Sequence, residues 1–376
     1  MNLDQFIAGS RARINDYQYF IPEKINQRYE WPDIDLIKLC ETATLRLGEL
    51  NAFSELVPNI NHFIRMHVVK EATVSSKIEG TQTNMEEAVQ KEEFILPEKR
   101  NDWREVHNYI MALDKAIESL QKIPLSTRTL KAAHKMLLHN VRGEHKLPGE
   151  FRRSQNWIGG ANLAGAVFIP PVADMVDTLM GDLENFIHSD DTGLPHAIKV
   201  AIAHYQFETI HPFLDGNGRI GRLMISLYFA EQKILRKPVL YLSDFFERNQ
   251  HLYYDKLMRV RTHNEIIEWI KFVLTGIIET AEKATQGLRN TIALKQRTDN
   301  KVLTLGKRAA AAKLLSDALF EQPVIDVNYA AEITNLSKVS ANKLVADFLE
   351  AGILQELTGQ KRNRLFRFTE YFNIFN

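Results

Sequence analysis

Apolar residues recur at helical spacing along most of the chain. Beyond Trp31-Pro32, with Asp33 placed as an N-cap, Ile34, Ile37, Ala43, Leu47 and Leu50 form one stripe. Pro58-Asn59 breaks it, and a second helix is expected from about Ile60 through Ile64 and Val68 to a C-cap at Gly80. A charged helix is expected over residues 84–97, and others over 103–120, over 127–141 with Ser126 as cap, and over 174–187. In residues 196–209, Ile198, Ile202 and Tyr205 share one face. Pro212 ends that helix, because proline disfavours the α region for the residue before it. The period resumes at Ile220, Leu223, Met224, Leu227 and Tyr228. Later helices are expected over 249–260 and, strongly apolar, over 265–284, fading towards Lys307. The first 30 residues have no period, and Ile21-Pro22 reads as an extended arm.

Two stretches depart from the helical pattern. Residues 149–171 carry Trp157-Ile158, a Gly159-Gly160 turn and Val167-Phe168-Ile169-Pro170-Pro171, the pattern of a β-hairpin. From Ala309, Tyr329 to Ile333, Ser337 to Ser340 and Leu344 to Leu349 read as a helix-turn-helix, and Leu365-Phe366-Arg367-Phe368 after Thr358-Gly359-Gln360 reads as a strand pair. This resembles a winged helix. The expected fold is mainly α. It comprises an N-terminal helical domain (1–105), a helical core with a small hairpin flap (106–285), a connecting helix or linker (286–310) and a winged helix (311–376).

Composition narrows the partners. Of 376 residues, 45% are apolar and 25% charged, ordinary for a soluble globular protein. Lys and Arg balance Asp and Glu, 47 against 47, so no global field points to nucleic acid or an anionic membrane. No apolar run approaches the roughly 18 residues of a membrane span, and no basic-then-apolar signal opens the chain. Cys40 stands alone, which excludes an internal disulfide and fits the cytoplasm. Residues 311–376 hold seven Lys/Arg and eight Asp/Glu. DNA is therefore a disfavoured partner, although Lys361, Arg362, Arg364 and Arg367 cluster on the expected wing.

Chemistry concentrates in residues 211–222, His-Pro-Phe-Leu-Asp-Gly-Asn-Gly-Arg-Ile-Gly-Arg. The stretch joins two helices, and its glycines open the second. A helix N-terminus presents unpaired N–H groups and partial positive charge. Gly216 and Gly218 allow close approach, and Asn217 tolerates left-handed backbone, so the N–H groups can form an anion nest. Arg219 and Arg222 add forked charges suited to phosphate oxygens. Asp215 is misplaced beside a bare phosphate and makes sense as a ligand of Mg²⁺, which takes one or two carboxylates plus substrate phosphates. His211 can serve as a general base near neutrality. These are the parts for transfer of a phosphorus-centred group. His134, His139 and His145 lack metal spacing and read as ordinary.

The stretch resembles the Fic family motif, His-x-Phe-x-(Asp/Glu)-Gly-Asn-Gly-Arg-x-x-Arg, at every defined position. Doc-type relatives that act as kinases replace Gly-Asn-Gly with a variant containing Ala and Lys. The resemblance implies a Mg²⁺-dependent adenylyltransferase moving AMP from ATP to a Ser, Thr or Tyr hydroxyl of a protein target. It implies His211 as catalytic base and Asp215 as Mg²⁺ ligand. It also implies nucleotide contacts at Gly216, Asn217, Gly218, Arg219, Gly221 and Arg222, with Phe213 a core anchor. Relatives often place an aromatic against adenine, here Tyr253, and a position often Asn is Arg261. Ser75-x-x-x-Glu79-Gly80 matches the inhibitory motif (Ser/Thr)-x-x-x-Glu-(Gly/Asn) of one class. In that class the Glu, here Glu79 with Ser75 supporting it, pairs with the second motif arginine, Arg222. Val167, Phe168 and Ile169 would form a flap that aligns the target by strand addition. A homodimer is a further family expectation. Two alternatives remain open: transfer of UMP or phosphocholine, because the motif handles phosphates and not the base, and an ATP-sensing winged-helix transcription regulator.

Overall fold

The computed structural model describes residues 1–14, 16–56, 60–360 and 362–375; the Pro58-Asn59 break and Lys361 lie outside them. An antiparallel hairpin of β1 (Gly9–Ile14) and β2 (Tyr17–Pro22) opens the chain. Helices α1 (Ile34–Leu56), α2 (Ile60–Ile78), α3 (Met85–Ala88), α4 (Arg100–Ser119) and α5 (Thr127–Leu137) follow. After the flap come α6 (Val176–His188), α7 (His196–Ile210), α8 (Asn217–Glu231), α9 (Ser243–Arg248), α10 (Gln250–His263) and α11 (Ile266–Leu303). The last segment runs α12 (Ala309–Leu319), β3 (Val324–Ile325), α13 (Val327–Thr334), α14 (Lys338–Glu350), β4 (Gln355–Glu356), β5 (Phe366–Arg367) and α15 (Thr369–Phe372). Its three strands pair antiparallel in the order β3-β5-β4.

Helix α7 is the axis of the core. Residues 197–210 are all buried, so it has no solvent face, and the single apolar face expected from sequence is too narrow a description. Its polar groups are met inside: Lys199 Nζ donates to Ser189 O (2.7 Å), Gln206 Nε2 to Glu23 O (2.9 Å), and Trp269 Nε1 donates to Ala201 O (2.8 Å). Helices α1, α6, α8 and α11 pack around it.

Several expectations change in the structure. The first 30 residues hold the β1–β2 hairpin, not an arm. The charged helix over 84–97 reduces to α3, closed by a reciprocal Asn84–Glu87 capping box, and two short 3₁₀ turns. The flap is a single antiparallel bridge, Ile158 to Phe168, around a 3₁₀ turn at Leu163–Gly165. Residues 286–303 continue α11, which buries Leu288, Thr291, Leu294, Thr298 and Val302. The helix pair and strand pair expected near the C-terminus are present as α13–α14 and β4–β5.

Candidate functional site

The loop between α7 and α8 is pinned by its own backbone. His211 closes α7 in the left-handed region (φ 50°), with its N–H donating to Phe207 O (2.9 Å). A non-glycine residue there is strained and persists only where its surroundings fix it. Those surroundings are Arg152 and Asn156. Arg152 Nε (3.0 Å) and Asn156 Nδ2 (3.1 Å) both donate to His211 O, and Asn156 Nδ2 also donates to Phe213 O (2.9 Å). Further bonds run from Arg152 to the carbonyls of Pro171 and Ile210. Asn217 turns its amide back onto the N–H and O of Phe213 (both 2.8 Å). Phe213 is the expected core anchor, stacked on His134 with centroids 3.8 Å apart. The N–H of Gly149 donates to His134 Nδ1 (2.9 Å), which leaves Nε2–H to donate to Asp215 O (3.0 Å). His134 is thus a scaffold for the loop.

Gly216 (φ 74°) then opens α8, and among the described residues no side chain caps it. The N–H groups of its first turn therefore lack intrahelical acceptors. Gly216 N–H donates to Asp215 Oδ1 (2.6 Å), while the Asp215 side chain stays largely exposed. Arg219 is buried and donates to Glu105 Oε2 (2.9 Å), a carboxylate shared with Arg142. Arg222 donates through Nε to Ser75 Oγ (2.9 Å) and through its terminal nitrogen to Ser75 O (2.8 Å) and Glu79 Oε1 (2.7 Å). Burial alone raises the Glu79 carboxyl, but Arg222 and then Arg219 hold it below the ordinary range. A Cβ on Gly218 would lie 2.2 Å from Glu79 Oε1, so only glycine lets the carboxylate sit there.

His211 is partly exposed, yet its Nδ1 is buried without a hydrogen-bond partner among the described residues, 3.9 Å from Glu208 Oε2. Burial, with Arg261 and Arg152 beside it, carries the imidazole down to about 3, so the ring is neutral near pH 7. Burial pushes Glu208 up to about 7 against the pull of Arg222. The site therefore pairs a neutral imidazole with a carboxyl that changes charge at neutrality.

The structure brings His211, Asp215, Gly216, Asn217, Gly218, Arg219, Arg222, Ser75 and Glu79 together, and moves others away. Gly221 faces α7: its O meets His204 (3.1 Å), and a Cβ there would lie 2.4 Å from Glu208 Oε1. It is a packing glycine. Tyr253 is buried with its hydroxyl on His204 Nε2 (2.9 Å), so it has no face for a base; Tyr254 is the exposed neighbour. In the flap, Phe168 is buried against Phe20, and Ile169 O already accepts Phe20 N–H (2.9 Å), so β2 occupies that edge. Only Val167 stands out to solvent. Arg152, Asn156, Glu105 and Glu208 have no local motif. The one sequence signal was at Arg261, which stands where Asn was expected.

Comparisons with known proteins point to one family. Family models described as "Fic/DOC family N-terminal" and "Fic/DOC family" match residues 37–118 and 124–229, together half of the chain. A protein adenylyltransferase Fic of Aedes aegypti is 32% identical over 174 residues, 44% of this chain and 32% of the relative. One of Drosophila melanogaster is 27% identical over 213 residues, 54% and 39%. The chain spans 32% and 39% of the lengths of these curated relatives. A Fic family protein from Desulfovibrio desulfuricans shares the fold with TM-score 0.57 at 20% identity, over 91% of this chain and 98% of that one. A Fic domain containing signaling protein from Bacteroides thetaiotaomicron gives 0.56 at 17%, over 66% and 97%. No helix among the described residues is long and apolar enough to cross a membrane.

Proposed function

Because this chain belongs to the Fic/DOC family, we propose that it transfers AMP from ATP to a Ser, Thr or Tyr hydroxyl of a protein, and that Glu79 restrains the reaction. The reading is carried by one convergence: neutral His211, the uncapped start of α8 and Arg219 meet at a single loop. The acceptor hydroxyl gives its proton to His211 as its oxygen bonds to the α-phosphorus. The bond from that phosphorus to the β-phosphate oxygen breaks, and pyrophosphate leaves. N–H groups at the start of α8 and the Arg219 charge stabilise the phosphate oxygens as charge builds. Arg222 is the γ-phosphate partner, and in this structure Glu79 holds it. Asp215, an exposed carboxylate beside that helix start, suits Mg²⁺, which takes few protein ligands. The ion when bound neutralises phosphate charge.

The relatives named adenylyltransferases support AMP as the moiety over UMP or phosphocholine. We read residues 1–105 as the inhibitory domain, 106–285 as the catalytic core and 311–376 as a winged helix. Arg364 and Arg367 of its wing are engaged by Glu356 and Glu86, which weighs against DNA and the sensor reading.

The test supplies ATP labelled at the α- or γ-phosphate, with Mg²⁺, to wild type, Glu79→Gly and Glu79→Gly/His211→Ala. Label on protein from the α-position only, requiring His211, is the expected result. Label from the γ-position means a kinase, and no label with ATP still bound refutes the transfer.

A further inference from the structure

Arg261, in the last turn of α10, touches two parts of the site that are far apart in sequence. Its guanidinium lies over the ring of the flap residue Phe168, 3.9 Å from the centroid. Phe20 of β2 packs on the same ring, with centroids 5.7 Å apart. The same guanidinium donates to Glu208 O (3.0 Å) and to Thr209 Oγ1 (3.1 Å), in the turn of α7 that leads into His211.

Arg261 is buried, and its acceptors among the described residues are a carbonyl, a hydroxyl and the thioether of Met258, none of them charged. Burial lowers its pKa, with Tyr205 and the Glu208 carboxyl opposing. Volume alone does not explain a cation there, since an apolar side chain fills a helix interface without the desolvation cost. A planar fork does explain it. Arg can stack on a ring and hold two acceptors in fixed geometry at once, whereas Lys is a point charge.

We propose that Arg261 is a positioning residue that locks the flap to the carboxyl end of α7, so that Val167 and His211 move as one body. A target lying against the flap is then registered on the base, where misplacement by about 1 Å costs roughly a hundredfold in rate. The purpose of this clamp rests on the transferase reading; the clamp itself rests on the contacts.

The test is residue-resolved amide hydrogen exchange on the full Glu79→Gly chain, alone and with Arg261→Met, Arg261→Lys or Phe168→Leu. Ile158 and Phe168 are the probes, because each donates its N–H to the other's carbonyl. With Arg261→Met, their exchange should quicken about tenfold or more while amides of α8 and α11 hold. Arg261→Lys should loosen the flap nearly as much. Phe168→Leu, which removes the ring and keeps the arginine's bonds to α7, should give the same local change and covers a failure of Arg261→Met to fold. In the same variants, label transfer from α-labelled ATP should fall about tenfold in kcat with KM for ATP within about twofold. Unchanged flap exchange in a folded Arg261→Met chain overturns the clamp, as does a rise spread evenly over the protein. A loosened flap in a parent chain that never transfers label upholds the clamp and removes the transferase reading.

Discussion

On its His211 side, the loop between α7 and α8 is gripped through the backbone. Arg152 and Asn156 are buried and spend their bonds on main-chain carbonyls. On its other side, the grip on Arg222 is shared between Ser75 and the carboxylate of Glu79, a third of whose side chain is exposed. The first arrangement has no partner that titrates or swings away, so it fixes geometry. The second closes on a flexible, water-accessible carboxylate, so it can open. The contrast separates what must stay still for chemistry from what must move for control.

The largest expected effects come from breaking the fixed side. His211→Ala should cost about 10² to 10⁴ in transfer rate while ATP affinity by calorimetry holds. Arg152→Met should cost nearly as much, and it should also lower unfolding stability by about 2–4 kcal/mol because buried carbonyls lose their donor. Denaturant midpoints separate the two: His211→Ala leaves the clamp intact. Opening the movable side should do the reverse. Glu79→Gly should raise transfer about tenfold to a hundredfold, with a smaller stability loss than Arg152→Met because Arg222, though buried, keeps its two bonds to Ser75. A destabilised but no more active variant would contradict the division.

Acidity sharpens the comparison. His211 ionises at about 3, so transfer in Glu79→Gly should show no acid limb from the base between about pH 5 and 8. Glu208 ionises at about 7, and its negative charge 3.9 Å from His211 strengthens the base. Transfer should therefore rise through about pH 7, and Glu208→Gln should flatten the step. The depressed histidines make a contribution to stability of definite sign, which the raised Glu208 carboxyl opposes. His211 and His204 near 3 and His134 near 4 lie below the unfolded value of about 6.5, so the unfolded chain takes protons first. Their share of stability is complete above about pH 6.5 and is lost as the pH falls. The smallest effect concerns the last segment: Arg367→Ala frees Glu86 from a half-exposed pair and should cost no more than about 1 kcal/mol by chemical denaturation.

Residues 211–222 were legible because a helix stop, two glycines and two arginines act locally. Ser75 and Glu79 were legible through their match to the inhibitory motif, since a carboxylate in a last helical turn is served as well by open solvent as by a cation. Arg152, Asn156 and Glu105 were not, since nothing in their own neighbourhoods records which carbonyl or guanidinium they meet across the fold. Tyr253 shows a different limit. One residue turns a helix by about 100°, so an aromatic pair such as Tyr253-Tyr254 puts one ring in the core and one outside, and apolar neighbours on both sides hid the phase. The β1–β2 hairpin escaped because its strands are short and β1, Gly-Ser-Arg-Ala-Arg-Ile, buries none of its residues, so it carries no apolar alternation.

The void over Gly218 has a consequence in mass action. The place where a side chain would begin is taken by Glu79 Oε1, and under the proposed function an ATP phosphate at the start of α8 contends for it. Two anions cannot share it. Under that reading the dissociation constant of the nucleotide is the intrinsic one divided by the fraction of chains with the carboxylate withdrawn. Anything that displaces Glu79 tightens ATP, and ATP in turn holds Glu79 out. If the proposed function holds, supply of the donor and release of the enzyme become one equilibrium, set by a missing methyl group.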